Sequence, residues 1–209
     1  MKNVSISLFV LYIFLLIGCS TSTKITAAWT DKEYEKGKIR SIMVMGIAKR
    51  EAVRRIFEED MVERFEYIGV TCLASSQIFP KDVKLDTNTY RLHFSNSGID
   101  AVLTSKLVSA DKSQTYVQGS SYYGGYPRHG GFYGYYGSSY DYMYSPGYTI
   151  TSTTLKIETN LYDTKTEQLI WTAISDTFDP TNETDAIKSL NKKLVDELYK
   201  AGFFYKKEK

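Results

Sequence analysis

The chain is poor in several residues that would fix its class. It has two cysteines, Cys19 and Cys72, in 209 residues. That excludes a disulfide framework as the basis of the fold. Two histidines, His93 and His129, stand far apart in the sequence, each without cysteine or carboxylate companions at ligand spacing. No metal site is legible, because zinc-type ligation needs several such groups to converge. Proline is scarce at four, and no long Pro-rich spacer exists. Charge of one sign is also missing: 26 basic and 24 acidic side chains nearly cancel. A nucleic-acid partner, which would want a basic face, is not expected. Beyond the first residues, no apolar run approaches the length of a membrane-spanning helix.

One apolar run is present, and it opens the chain. Val4 to Leu15 follows the single positive charge of Lys2 and is too short for a comfortable span. It ends in Leu16-Ile17-Gly18-Cys19. This tetrad resembles the lipobox of bacterial lipoproteins. The resemblance implies cleavage between Gly18 and Cys19, a diacylglycerol thioether on Cys19, and acylation (palmitate or a similar chain) of the new amino terminus. Residues 1–18 are then a signal peptide, and 191 residues remain, enough for one domain with a core. Residues 19–30 read as a tether. Fully extended, Ser20 to Thr30 reaches about 35 Å, so the folded domain is expected close to the membrane that holds the lipid. Ser20, rather than aspartate, directly after the cysteine implies the outer membrane in enterobacterial-type sorting. The expected location is the outer membrane, lipid-anchored and facing the periplasm.

The rest alternates strand and helix signals. Ile39 to Ala48 is a nearly continuous apolar run and predicts a central strand covered on both faces. Arg50 to Ile68 has helical period, with Val53, Ile56, Phe57, Met61, Phe65 and Ile68 on one stripe. Arg54, Arg55, Glu58, Glu59, Glu63 and Arg64 are assigned mainly to the solvated face, and Gly69 ends the helix. Val70 to Ala74 is a second strand, with Cys72 as a small core hydrophobe. Asp86 or Thr87 caps a shorter helix ending at Gly98, and Ile99 to Val108 is a third strand. Thr149–Tyr162 and Gln168–Thr177 form a hairpin about the turn Asp163–Thr166. Thr184 to Ala201 closes the domain as an amphipathic helix with Ile187, Leu190, Leu194, Val195 and Leu198 inward, and a basic tail occupies 206–209. The expectation is a single α/β domain over 31–205: a mixed sheet with helices packed on it, in the order β-α-β-α-β-(insertion)-β-β-α.

The insertion, 116–148, is a different material. It holds 11 of the 18 tyrosines and 8 of the 14 glycines, and its only formal charges are Arg128 and Asp141. Tyrosine offers flat apolar area with a polar tip, and glycine lets the backbone conform. Tyr122, Tyr123, Tyr126, Tyr133, Tyr135, Tyr136, Tyr140 and Tyr142 are therefore the candidate contact surface, for an envelope protein or for peptidoglycan. The competing reading is a tolerated low-complexity excursion.

Taken together, Arg54-Arg55-Ile56-Phe57-Glu58-Glu59-Asp60-Met61-Val62, Ile99-Asp100-Ala101-Val102-Leu103, the tract ending Tyr144-Ser145-Pro146-Gly147-Tyr148, and Glu158-Thr159-Asn160-Leu161-Tyr162-Asp163 with Leu169-Ile170-Trp171 resemble a family of bacterial lipoproteins of unknown function. The resemblance implies a periplasm-facing α/β domain, similar in topology to small domains of curli-secretion and Tol-type proteins. It transfers no catalytic residue. No nucleophile–base arrangement is legible either, and Gly46 lacks the glycine partners of a phosphate loop. The pairs Glu58/Glu59 and Asp176/Asp179 read as a solvated helix face and a strand-end turn. The expectation is no catalytic residues, no metal and no cofactor: a non-enzymatic, membrane-anchored binding or envelope-accessory module. A regulator of a cell-wall enzyme and a hydrolase with an unrecognised site are the alternatives.

Overall fold

The computed structural model describes residues 21–79, 97–117 and 148–205. Six strands form one mixed sheet: β1 (Ser22–Thr30), β2 (Ser41–Ile47), β3 (Thr71–Ala74), β4 (Ala101–Val117), β5 (Tyr148–Asp163) and β6 (Leu169–Phe178). Their spatial order is β1-β6-β5-β4-β2-β3. Helices α1 (Glu51–Tyr67), α2 (Ser75–Ile78) and α3 (Glu183–Ala201) pack on it. The pairings β2–β3 and β2–β4 are parallel, while β4–β5, β5–β6 and β1–β6 are antiparallel. This is the mixed α/β sheet that the alternation of periods predicts.

Its centre follows from the apolar run. Ile42, Met43 and Val44 of β2 are all fully buried. Successive side chains of a strand point to opposite faces. Ile42 and Val44 accordingly join the main core beneath α1 and α3, while Met43 joins a smaller cluster with Phe79, Ile99 and Val102 on the other face. Phe57, Met61 and Phe65 bring α1 onto the main core, and Ile187, Leu190, Leu194, Val195 and Leu198 bring α3. The period-two pattern of β5 places Ile157, Thr159 and Leu161 inward. Asn182 caps α3 by accepting from the Asp185 N–H at 2.9 Å, and Gly202 ends it in the left-handed region at φ 81°. Phe203 and Phe204 then turn back into the core, where Phe204 bridges to Ile39 and meets Phe65 edge-on at 5.4 Å.

Three features differ from the sequence expectations. The segment assigned to a tether is largely β1, an edge strand antiparallel to β6. Thr23, Thr26 and Thr30 are β-branched, but only Ile25 turns a partly buried aliphatic side chain to the core, so apolar patterning is faint there. Next, β4 runs well past Val108, because its polar second half pairs with β5 as far as Val117↔Tyr148. Tyr116-Val117 and Tyr148-Thr149, at the two ends of the insertion, are neighbouring strand positions in a long antiparallel ribbon, as their place in the sequence leads one to expect. Last, Glu58 is buried, not solvated. The short helix over 86–97 falls mostly outside the described residues, although Gly98, proposed as its end, has φ 68°. The signal peptide and the 206–209 tail also fall outside them.

Candidate functional site

Two places in the fold concentrate chemistry. The first is a buried polar cluster at the C-terminal end of β2. Glu58 projects from the core face of α1 and is fully buried. Its Oε1 accepts from the Gly46 N–H (2.9 Å), Arg54 Nε (3.1 Å) and Ser75 Oγ (2.7 Å), and its Oε2 accepts from the Ser76 N–H (2.7 Å). Arg54 Nη2 donates to Ser75 Oγ (2.9 Å) and to the Phe79 carbonyl (3.1 Å). Gly46 leaves little room for a side chain: a Cβ there would stand 3.0 Å from Phe57 Cδ1. A buried carboxylate is tolerable when paired and hydrogen-bonded, and apart from Arg54, which lies on α1 itself, every donor here comes from an element that Glu58 joins to α1. The arrangement clamps α1 to β2 and α2. It presents no free oxygen to a substrate.

Neighbouring polar side chains do similar work. Asp60 takes a two-pronged ion pair from Arg64, and Asp60 Oδ2 also accepts from Asn191 Nδ2 of α3 at 2.9 Å. Asp100 Oδ2 accepts from the Arg40 and Ser41 N–H groups at 2.9 and 3.1 Å, which locks the start of β2 beside the start of β4. Asp163 Oδ1 accepts from the N–H groups of Lys165 and Thr166 and closes the β5–β6 turn. The helix motif and the Ile99–Leu103 motif are therefore fold-holding devices. The pair Asp176/Asp179 is split: Asp176 lies within β6, while Asp179, at φ 41°, accepts from the Thr153 N–H just after the strand.

Cys72 is 3% exposed, and burial beside Glu66 and Glu58 pushes its thiol pKa up, the reverse of what a reactive thiol needs. Burial, followed by the charges of Asp163 and Asp100, pushes Tyr34 up to about 12. The folded state thus keeps the Tyr34 proton after the unfolded chain has lost it. This contribution to stability is complete below about pH 10, the unfolded value, and declines as pH rises towards 12. Tyr34→Phe should remove that decline. Urea midpoints compared between pH 9 and pH 11 should fall less in the variant than in the wild type.

The second place is the β4–β5 ribbon. Phe178, the last residue of β6, pairs with Thr154, and Asp179 still bonds to Thr153, so Tyr148–Ser152 and their β4 partners extend beyond the sheet as two strands alone. Tyr116, Tyr148 and Ile150 are exposed there, at 64%, 61% and 45%. Val117 and Tyr148, which flank the Tyr/Gly tract, are register partners. The candidate tyrosines Tyr122, Tyr123, Tyr126, Tyr133, Tyr135, Tyr136, Tyr140 and Tyr142 lie outside the described residues, as do Gly18, Cys19, His93 and His129. An open groove of about 410 Å³ lies between β1 and α3, lined by Lys24, Thr26, Ala28, Lys193 and Glu197 among others. Among the described residues, no three His, Cys, Asp or Glu side chains gather as a metal would require, and no helix is long and apolar enough to cross a membrane.

No family model and no curated protein matches the chain. Solved structures do. The PelC dodecamer of Paraburkholderia phytofirmans matches at 10% identity and TM-score 0.44, over 86% of this chain and 97% of the other. The lipoprotein GNA1162 of Neisseria meningitidis matches at 13% identity and TM-score 0.38, over 77% and 96%. A PDZ domain protein of Parabacteroides distasonis matches at 10% and 0.42, over 94% of this chain but 39% of that one. These are distant likenesses of chain course.

Proposed function

We propose that the chain is a lipid-anchored envelope protein that acts by binding and not by catalysis. The observation that carries this reading is the ribbon. It extends a pair of strands past the sheet, leaves large aromatic and aliphatic side chains uncovered, and puts the ends of the Tyr/Gly tract side by side at its far end. The polar clusters, by contrast, are spent on joining elements of the fold. The lipid on Cys19 is supported by the lipobox residues and by β1, which takes up the chain three residues later. A contact surface carried by the Tyr/Gly tract that joins the ribbon's two strands would serve an envelope protein or peptidoglycan within reach of one membrane.

Replacing 118–147 by an Asn-Gly turn separates scaffold from contact. Because Val117 and Tyr148 are already paired, the shortened protein should keep a single cooperative unfolding transition. It should also lose crosslinks and peptidoglycan pull-down that the intact protein gives in envelope membranes. A shortened protein that folds and keeps every crosslink contradicts the reading.

A further inference from the structure

The sheet register relates the ribbon to the membrane anchor. Ser22, the first residue of β1, pairs with Phe178; Phe178 pairs with Thr154; and the ribbon continues from Thr154. The start of β1 and the root of the ribbon thus share one end of the sheet. The far end holds Thr30, the Asp163–Gln168 turn and the start of β2. Thr21 is fastened at the near end, since its carbonyl accepts from Ser189 Oγ of α3 at 3.1 Å. Only Ser20 separates Thr21 from Cys19. Two residues span at most about 7 Å. The five residues Tyr148–Ser152 carry the ribbon about 17 Å past the sheet. A lipid on Cys19 would therefore hold this end of the sheet so near the bilayer that the ribbon has no clear path away from its surface.

The ribbon's surface suits that position. On β5 the even-numbered side chains face away from α1 and α3, because Ile157, Thr159 and Leu161 face the core. Tyr148 and Ile150 therefore share one face with Phe178, which is 44% exposed. Val117 stands beside Tyr148 on that face. From Ser113 to Val117 and from Tyr148 to Thr153 there is no charged side chain, so an interfacial environment costs little desolvation. Behind this apolar stripe, Lys24 and Lys156 flank Asp176 in register, and Asp111 stands opposite Thr154 on the same face, so two cations and two carboxylates form a charge-balanced polar belt there. Tyrosine favours such interfaces, with its ring among acyl carbons and its hydroxyl in water. A two-stranded ribbon is also marginal by itself and gains from a surface to lie on.

We propose that the ribbon face bearing Phe178, Ile150, Tyr148 and Val117 lies in the headgroup layer of the bilayer that anchors the chain, as a second membrane contact beside the lipid. The inference rests on the anchoring proposed above, and its test supplies the anchor artificially. A chain with hexahistidine in place of residues 1–19 is tethered to vesicles of phosphatidylethanolamine and phosphatidylglycerol containing a nickel-chelating lipid. With Cys72→Ala as background, single cysteines at Tyr148, Ile150, Tyr67 and Lys165 carry an environment-sensitive fluorophore. Tyr67 and Lys165 belong to the far end of the sheet. Probes at 148 and 150 should shift to the blue on tethering and be quenched by spin-labelled lipid several-fold more than probes at 67 and 165. Equal quenching at all four positions overturns the proposal. So does a blue shift at 148 and 150 without vesicles that grows with protein concentration, which would mean that this face meets a second copy. Acylation is read separately, from the mass of the amino-terminal peptide of the native protein. Failure of the lipid reading and failure of the ribbon contact are thus distinguishable.

Discussion

Glu58→Ala is expected to destabilise the domain by about 3–5 kcal/mol, the scale for breaking a buried ion pair by removing one partner. The magnitude follows from what is left behind. Arg54, whose side chain is 12% exposed, would keep its charge and lose its closest carboxylate, with Glu51 3.6 Å away as the remaining acidic neighbour. The Gly46 and Ser76 N–H groups and the Ser75 hydroxyl would lose their acceptor in a space water enters poorly. Glu58→Gln keeps the shape and one carbonyl oxygen but turns an amide donor toward donors, so it should also destabilise, by less. Glu59→Ala, one residue away on the exposed face, is the control and should stay within about 0.5 kcal/mol. Urea unfolding checks all three. A Glu58→Ala midpoint indistinguishable from that of Glu59→Ala would mean that the cluster does not clamp α1.

Phe65→Ala should cost a similar amount, about 3–5 kcal/mol, for a different reason. Phe65 is fully buried at the meeting of α1 with the chain after α3, against Phe204. Truncation removes its burial and leaves a cavity between elements already held by backbone bonds: Ile39 N–H to the Phe203 carbonyl at 3.2 Å and Tyr205 N–H to the Ile39 carbonyl at 3.0 Å. The site therefore cannot collapse easily. Phe65→Leu keeps most of the volume and should lose less. Pairing Phe65→Ala with Phe204→Ala in a double-mutant cycle should show coupling of about 0.5–1.5 kcal/mol beyond the separate losses. Additive losses would show that the two rings do not support each other.

These two residues show how far the sequence could be read. Phe65 sits on the helical stripe with Phe57 and Met61, and periodicity alone assigns it to the core. Glu58 breaks the same rule. A carboxylate between Phe57 and Glu59 reads as solvated, since charge goes outward unless a partner meets it. The partners here, Gly46, Ser75 and Ser76, are set by tertiary packing and leave no pattern along the helix. The one local hint was Arg54 four residues before Glu58, which one helical turn brings together. The edge strand β1 was hidden similarly: it turns one partly buried isoleucine inward and owes its place to backbone pairing with β6. The ribbon's outer half carries polar alternation with no buried face, so only the register with β5 reveals its length. Phe203 and Phe204 follow the helix-ending Gly202, where periodicity gives no inward direction. The candidate contact tyrosines and the lipobox-like tetrad, legible as composition and motif, lie outside the described residues.

The mass of the amino-terminal peptide of the protein isolated from envelope membranes tests the proposed lipid anchor at Cys19 most directly. The expected peptide begins at Cys19 and carries the mass of a diacylglycerol thioether plus an amide-linked acyl chain, and Cys19→Ala yields an unprocessed, unacylated chain. A peptide that begins elsewhere, or a Cys19 free of lipid in the membrane-bound protein, would contradict it.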